Sequence, residues 1–451
     1  MQDKHGLLSA PINQVLSRMT LPMVFGLVAI LMFNLVDTYF ISLLGTHALA
    51  AISFTFPVTF GVSCITMGVG MAISANVGRF LGQGDNARAA GFSTHGILLA
   101  IILVCAAASL GYFTIYPLFH MLGAKDNLIS LIEQYMQIWY LTIPLLVIPM
   151  TGNSAIRASG DTKTPAKIML ISGLINGLLD PLLIFGLGPF PELGIQGAAI
   201  ASGISWLMAL IASLWVLIRR EKLLTKLQLS WLLHDWQQVL KIGAPASFSN
   251  AMNPLCGAIL MMLLAQYGAT SVAAYGAAQR VESLMLLVMM SLASVMTPFI
   301  AQNMGAEQVE RSFKGLFKGM RFSLIFQFGL FIIMVPLSIP ISNLFSQEAE
   351  VQTLLWHYLL VVPISYGCQG MVMLLVSSLN AMHLPLKAFG WNFARLFIFN
   401  LPFAWIGAYS HQVEGLFIGI AVGNSLSGLL AYCYALRLRK RSLERLDNPA
   451  T

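Results

Sequence analysis

The chain has 451 residues, 57% of them hydrophobic and only 10% charged, against the roughly 25% charged residues of soluble domains. That balance excludes a soluble globular protein and points to a polytopic, all-helical membrane protein. The net charge of +7 needs no nucleic-acid partner, because the basic residues fall where membrane orientation places them.

Apolar stretches of about 20 residues, long enough to cross a hydrocarbon core roughly 30 Å thick, recur along the whole chain. They predict twelve spans, at about 17–43, 50–76, 93–116, 129–152, 166–187, 195–218, 239–265, 272–297, 319–342, 352–378, 388–408 and 413–436. The first sixteen residues hold no apolar signal-peptide core, so the first span is expected to be retained. Within that span, "NLVDTYFISL" sets Asp37 in an apolar run, and Pro22 lies fifteen residues before it. Pro22 lacks the amide that would satisfy the carbonyl of Arg18; it either starts the helix or bends it.

Arg79 and Arg88, Arg157 to Lys167, Arg219 to Lys241, Arg311 to Arg321, Lys387 and the tail "RLRKRSLERL" lie in even-numbered connections or at the end of the chain. Lys125 stands on the opposite side, and Arg280 and Arg395 lie within spans. The positive-inside rule then makes both termini cytoplasmic, with the basic tail in solvent or against lipid headgroups. Cys64, Cys105, Cys256, Cys368 and Cys433 fall in apolar runs without paired spacing and read as small buried hydrophobes.

Sliding the chain on itself reveals a repeat. "LGTHALAA" (44–51) lies over "YGATSVAA" (267–274), Pro22 falls on Pro245, Gly82 on Gly305, Arg88 on Arg311 and Ala158 on Ala381. Because each half has six spans, both enter the membrane from the same side and form parallel, pseudo-symmetric bundles. The predicted organisation is an N-terminal lobe over 1–218, a linker over 219–238 and a C-terminal lobe over 239–451. The linker, "RREKLLTKLQLSWLLHDWQQVLK" with its flanks, is expected to carry a helix lying along the membrane surface. Duplication of this kind suits alternating access about a central cavity, and suits an enzyme less well.

Three acids lie deep in spans: Asp37, Asp180 and Glu282. Burying an ionisable group at such depth costs at least a few kcal/mol, so it usually faces a wet cavity and carries a function. Asp37 and Asp180 each precede an outer-end glycine by eight residues, which places both about 12 Å below the outer surface. Ser202 reaches the same layer, and Asn176 shares a helix face with Asp180 one turn deeper. A polar cluster of Asp37, Asn176, Asp180 and Ser202 is expected, with Tyr140 beside it. The repeat maps Asp37 to Leu260, Asn176 to Phe399 and Asp180 to Phe403, so the second half has lost every equivalent member. Two carboxylates in a low-dielectric pocket repel when both are ionised, which favours proton binding, and a protonated carboxyl donates a hydrogen bond that a carboxylate cannot. Pro181 likewise frees the carbonyl of Gly177 beside the cluster. Glu282 and Arg280, two residues apart, do not share a face, so each is expected to find its own partner, most simply in a salt link between helices. Arg395 is expected to snorkel or pair.

These residues resemble the MATE (multidrug and toxic compound extrusion) transporters, and within them the DinF-like branch. Pro22 with Asp37 in "LVDTYF", "VGRFLGQGD" (77–85), "GNSAIRASGDTKTP" (152–165) and "LINGLLDPLLIFGLG" (174–188) carry the resemblance, which covers nearly the whole chain. It implies two six-helix lobes in a bacterial cytoplasmic membrane, acting as a monomer. It also implies export of amphipathic, often cationic drugs driven by inward H⁺ or Na⁺, with no cofactor. The cation site it implies is Asp37, Asp180 and Asn176, where Na⁺ is the alternative to H⁺; Asn153 matches a polar position of the fourth helix, and Ser202 stands where a threonine is common. The seventh helix offers Asn253 where the NorM-like branch carries an acid, so a cation site of that type is not expected in the second lobe. A flippase for lipid-linked substrates should show a strongly basic cavity, for which only Arg280 and Arg395 are candidates. An intramembrane aspartyl protease using Asp37 and Asp180 lacks its usual sequence contexts.

Overall fold

A hydrocarbon layer supplies no water to unpaired amides and carbonyls, so a chain this apolar pairs its backbone within helices. The computed structural model describes residues 5–447, and among them there is no strand. Ile12–Leu43, Thr46–Gly82, Asn86–Phe113, Asp126–Ala158, Lys163–Ile184 and Ile195–Arg220 are the first six spans, and a short helix, Ile115–Met121, follows the third. Leu229–Ala265 is the seventh; Ala269–Met285 and Leu287–Gly305, joined at Leu286, make the eighth. Val309–Phe345 and Ala349–Ala381 are the ninth and tenth. The last two run through Pro385–Glu444 and part where His411 and Gln412 leave helical geometry.

The repeat seen in the sequence is visible in the backbone. Gly45 (φ 108°, ψ 171°) and its counterpart Gly268 (φ 106°, ψ 169°) make the same turn before the second and eighth spans. The left-handed turn at Gly84 (φ 82°) is matched by Glu307 (φ 61°), and that at Gly160 (φ 98°) by His383 (φ 59°). Keeping a left-handed turn with a side chain in place costs roughly 1–2 kcal/mol per residue, so the second half has kept the turn and given up the residue that makes it cheap.

Two contact units emerge. One runs over Ser17–Ser247 with His5 and Gly6; the other comprises Leu7–Leu16 with the described residues of Phe248–Thr451. The lead-in to the first span is thus packed in the second unit, and the lead-in to the seventh in the first. The linker also differs from expectation. No separate surface helix forms among the described residues: 222–228 adopt no regular structure, Lys222 taking a left-handed turn (φ 53°), and Leu229 begins a helix that runs without interruption into the seventh span. Pro22 lies ten residues inside the first helix and so does not start it. The cysteines are free, and Cys64 and Cys256 are buried as expected, but Cys433 is exposed.

Repeat-equivalent arginines hold the two lead-in segments. In the first unit Arg88 forms a two-pronged ion pair with the fully buried Asp235, its Nη1 at 2.8 Å from Oδ2. The guanidinium also lies 4.7 Å from the centre of the Trp231 ring and 5.1 Å from that of Phe80. The amide of Gln228 donates to His95 Nε2 at 3.2 Å, which leaves Nδ1 to donate to Asp235 at 2.6 Å. In the second unit Arg311 donates to the carbonyls of Leu7 and Ala10, and Asn303 donates to Leu7 at 3.2 Å. One latch uses a buried acid and the other the backbone carbonyls of Leu7 and Ala10.

Candidate functional site

The site begins with small residues on the fifth span. Gly26 of the first span lies against Ala166; the Phe33 ring fills the space at Gly173, where an added Cβ would lie 1.7 Å from the ring; and Val36 sits 3.6 Å from the equivalent point on Gly177. Residues 173, 177 and 180 follow one another at helical spacing on one face, so Asp180 continues the row along which the first span lies. Asp37, the residue after Val36, comes within electrostatic reach of Asp180. Asn176 Nδ2 donates to Asp180 Oδ1 at 3.3 Å and to Ser202 Oγ at 3.4 Å, which ties the sixth span into the cluster. Gly197, whose missing side chain leaves room for the carbonyl of Leu183, lets those two helices close together.

The number of donors limits what this cluster can do. Asp180 is fully buried. Its Oδ2 and the Oδ1 of Asp37 find no hydrogen-bond partner among the described residues. A carboxylate only accepts, and a buried acceptor left without a donor costs about 1–3 kcal/mol. Binding a proton turns one carboxyl into the missing donor. A Na⁺ ion shared by Asp37, Asp180, Asn176 and Ser202 oxygens would satisfy the same atoms, because hard cations take oxygen ligands.

The tyrosine at the cluster is Tyr135, not Tyr140. Tyr135 is buried and within electrostatic reach of both Asp37 and Asp180. The Tyr140 ring instead occupies the space at Gly111 of the third span, 2.4 Å from where a Cβ would stand, and its hydroxyl finds no partner among the described residues. The sequence did contain a signal for Tyr135: the repeat carries it onto Tyr358, so each half keeps a tyrosine near an acid. Asn153 accepts from Ser213 at 3.4 Å, about 27 Å further along its helix than Tyr135, and takes no part in the cluster.

The second unit carries a different polar assembly. Glu282 accepts from the Tyr358 hydroxyl at 2.9 Å and from Gln369 at 3.3 Å, so a phenol and an amide stand where a salt link was expected. Asn424 donates to Ser365 and to the Gln369 oxygen at 3.3 Å, and Asn400 donates to Asn424 at 3.0 Å. Arg280 is exposed. Arg395 does not snorkel: it is buried in a π-helical turn, Ala394–Asn400, and its Nη2 donates to Asn253 at 2.8 Å and to Asn392 at 3.3 Å.

A twofold six-span plan, with an acid pair in one half only, narrows the choice of family, and comparison with known proteins decides it. The MatE family model matches residues 22–182 and again 245–406, the two halves of the repeat. The chain belongs to the MATE family. Among its relatives in that family, the FAD transporter of Shewanella oneidensis is 44% identical over 440 residues, 97% of each chain. The probable multidrug resistance protein YoeA of Bacillus subtilis is 26% identical over 89% of each. Of solved structures, the Vibrio cholerae MATE transporter VcmN in its bent form superposes with a TM-score of 0.91 at 31% identity, covering 96% of this chain and 98% of that one. As a MATE protein the chain is a membrane transporter, and the expectation of a transporter with the two-bundle fold holds.

Proposed function

We propose that this chain is an exporter of the cytoplasmic membrane, driven by inward H⁺ through Asp37 and Asp180, and that a flavin nucleotide is its cargo. The observation that carries the coupling is the neighbouring carboxylates of Asp37, partly buried, and Asp180, fully buried, each with an orphaned oxygen, and the single amide donor that reaches Asp180. Protonation supplies the donor and removes the mutual repulsion, so the occupied and empty states favour different arrangements of the first span against the fifth. Tyr135, buried and within electrostatic reach of both acids, supplies a further hydroxyl to that exchange. Support for the cargo is the 44% identity, end to end, with a protein named for FAD transport. Antiport, in which inward H⁺ is exchanged for outward cargo, makes export the direction that an inward proton gradient drives. The local pattern around Asp37 and "LINGLLDPLL" supports a place in the DinF-like branch.

A second reading, export of amphipathic and often cationic drugs, is supported by relatives named multidrug export protein MepA in Staphylococcus aureus and by YoeA. Both readings use the same carboxylates. The experiment is transport in proteoliposomes with an imposed pH gradient and, separately, an imposed Na⁺ gradient, using FAD and ethidium as cargo. A pH gradient alone should drive FAD export, and Asp37→Asn should abolish it without loss of folded protein. Transport driven only by Na⁺ transfers the coupling to that ion, ethidium without FAD transfers the cargo to the drug reading, and full transport by Asp37→Asn removes the acid from the mechanism.

A further inference from the structure

The buried guanidinium of the second unit has no use in the carboxylate mechanism. Arg395 is only 5% exposed. No carboxylate forms an ion pair with it among the described residues; both of its partners are neutral amide oxygens, those of Asn253 and Asn392. Its Nε has no hydrogen-bond partner among the described residues. Glu282 is the carboxylate that reaches it electrostatically, yet both Glu282 oxygens are already engaged by Tyr358 and Gln369. An unpaired cation buried in a membrane helix costs several kcal/mol unless something else satisfies it.

The surroundings are arranged to hold the side chain still. Asn392 donates to both the carbonyl and the hydroxyl of Ser249 at 2.9 Å, which fixes its oxygen toward the guanidinium. Asn253, the other acceptor, is itself exposed and so forms the rim of the group. The π-helical turn that carries Arg395 is a local widening of the helix, a feature frequent at functional sites. A planar cation that spends its Nη2 on neutral oxygens and makes no ion pair, with an amide at its rim, has the charge and the planar donors to take a phosphate oxygen.

We infer that Arg395, with Asn253 at its rim, is an anion subsite that binds the phosphate of the exported nucleotide. The inference rests on the flavin-nucleotide reading of the cargo. It assigns the two ends of the transporter's chemistry to different units: proton binding to the acids of the first, and recognition of the cargo's negative charge to the arginine of the second. The sequence contrast agrees, since the residue equivalent to Arg395 in the first half is Ser172, which donates to the carbonyl of Ser205 and carries no charge.

The test compares FAD with riboflavin, which has the same ring system and no phosphate, in proteoliposomes of phosphatidylethanolamine alone and with anionic phosphatidylglycerol added. Arg395→Gln should raise KM for FAD at least tenfold, the loss of one charge-assisted contact, and leave riboflavin transport unchanged. Arg395→Lys should recover part of the FAD affinity. Equal losses for FAD and riboflavin would mean a structural role and overturn the inference; a loss that appears only with phosphatidylglycerol present would reassign the arginine to a lipid headgroup. If the wild type carries no FAD, the cargo reading fails by itself, and the subsite is then judged by inorganic pyrophosphate. Pyrophosphate should raise the melting temperature of the detergent-solubilised wild type and not of Arg395→Gln; no rise in the wild type overturns the subsite.

Discussion

Gly173→Ala tests whether the close approach of the first and fifth spans is what brings the two carboxylates together. The new Cβ would lie 1.7 Å from carbons of the Phe33 ring, where ordinary contact begins at 3.4 Å. The ring, or the helix that carries it, must therefore retreat by about 1.7 Å, and overfilling of this kind costs about 1–3 kcal/mol. For a unit of this size that is a fall in melting temperature of about 2–4 °C per kcal/mol. Asp37 lies one helical turn from Phe33, so the retreat also separates it from Asp180. Proton-driven transport in proteoliposomes should then fall by much more than stability does. Phe33→Ala combined with Gly173→Ala removes the obstruction and should restore transport even though a cavity leaves the double variant less stable. Wild-type transport and melting by Gly173→Ala, or no recovery in the double variant, would refute the argument that this contact sets the distance between the acids.

Two further outcomes follow from the connections outside the spans. Arg88→Ala leaves Asp235 buried beside His95 without its cation, and breaking a buried pair in this way costs about 3–5 kcal/mol; Asp235→Asn with Arg88→Gln, which removes both charges, should cost much less, and thermal unfolding in detergent distinguishes them. Burial alone pushes the Asp161 carboxyl upward, but the hydroxyl and amide of Thr164 and the Arg220 guanidinium, 3.0 Å away, hold it below the ordinary aspartate value. Because the folded value is depressed, the stabilisation is complete above about pH 4 and is lost as pH falls through the folded value. The melting-temperature difference between wild type and Asp161→Asn should therefore be full at neutral pH and shrink in acid; a difference independent of pH would show that the carboxylate's charge contributes nothing.

The polar cluster was legible because depth in a membrane helix is nearly a linear coordinate. Counting residues from Gly45 and Gly188 put Asp37 and Asp180 in one layer, and helical spacing put Asn176 with Asp180. Rotation about the helix axis is not fixed by such counting, which is why depth alone points to Tyr140 of the fourth span when Tyr135 is the residue within reach of the acids. The same limit explains Glu282. Its depth marked it as unusual, but whether it meets a cation or a phenol depends on how Tyr358 and Gln369 of another span are turned.

From the sequence alone come the twelve spans, the duplication and the confinement of the acid pair to one half, since hydrocarbon thickness dictates apolar length and a shared ancestor leaves residue-for-residue correspondence. Side-chain partners came only with the tertiary structure: the latches at Arg88 and Arg311, the donor shortage around Asp37 and Asp180, and the buried Arg395 held by amides. Those depend on which faces of separate helices meet, and that is settled by close contacts such as Phe33 on Gly173, which involve residues far apart in the chain and leave no periodic trace along it.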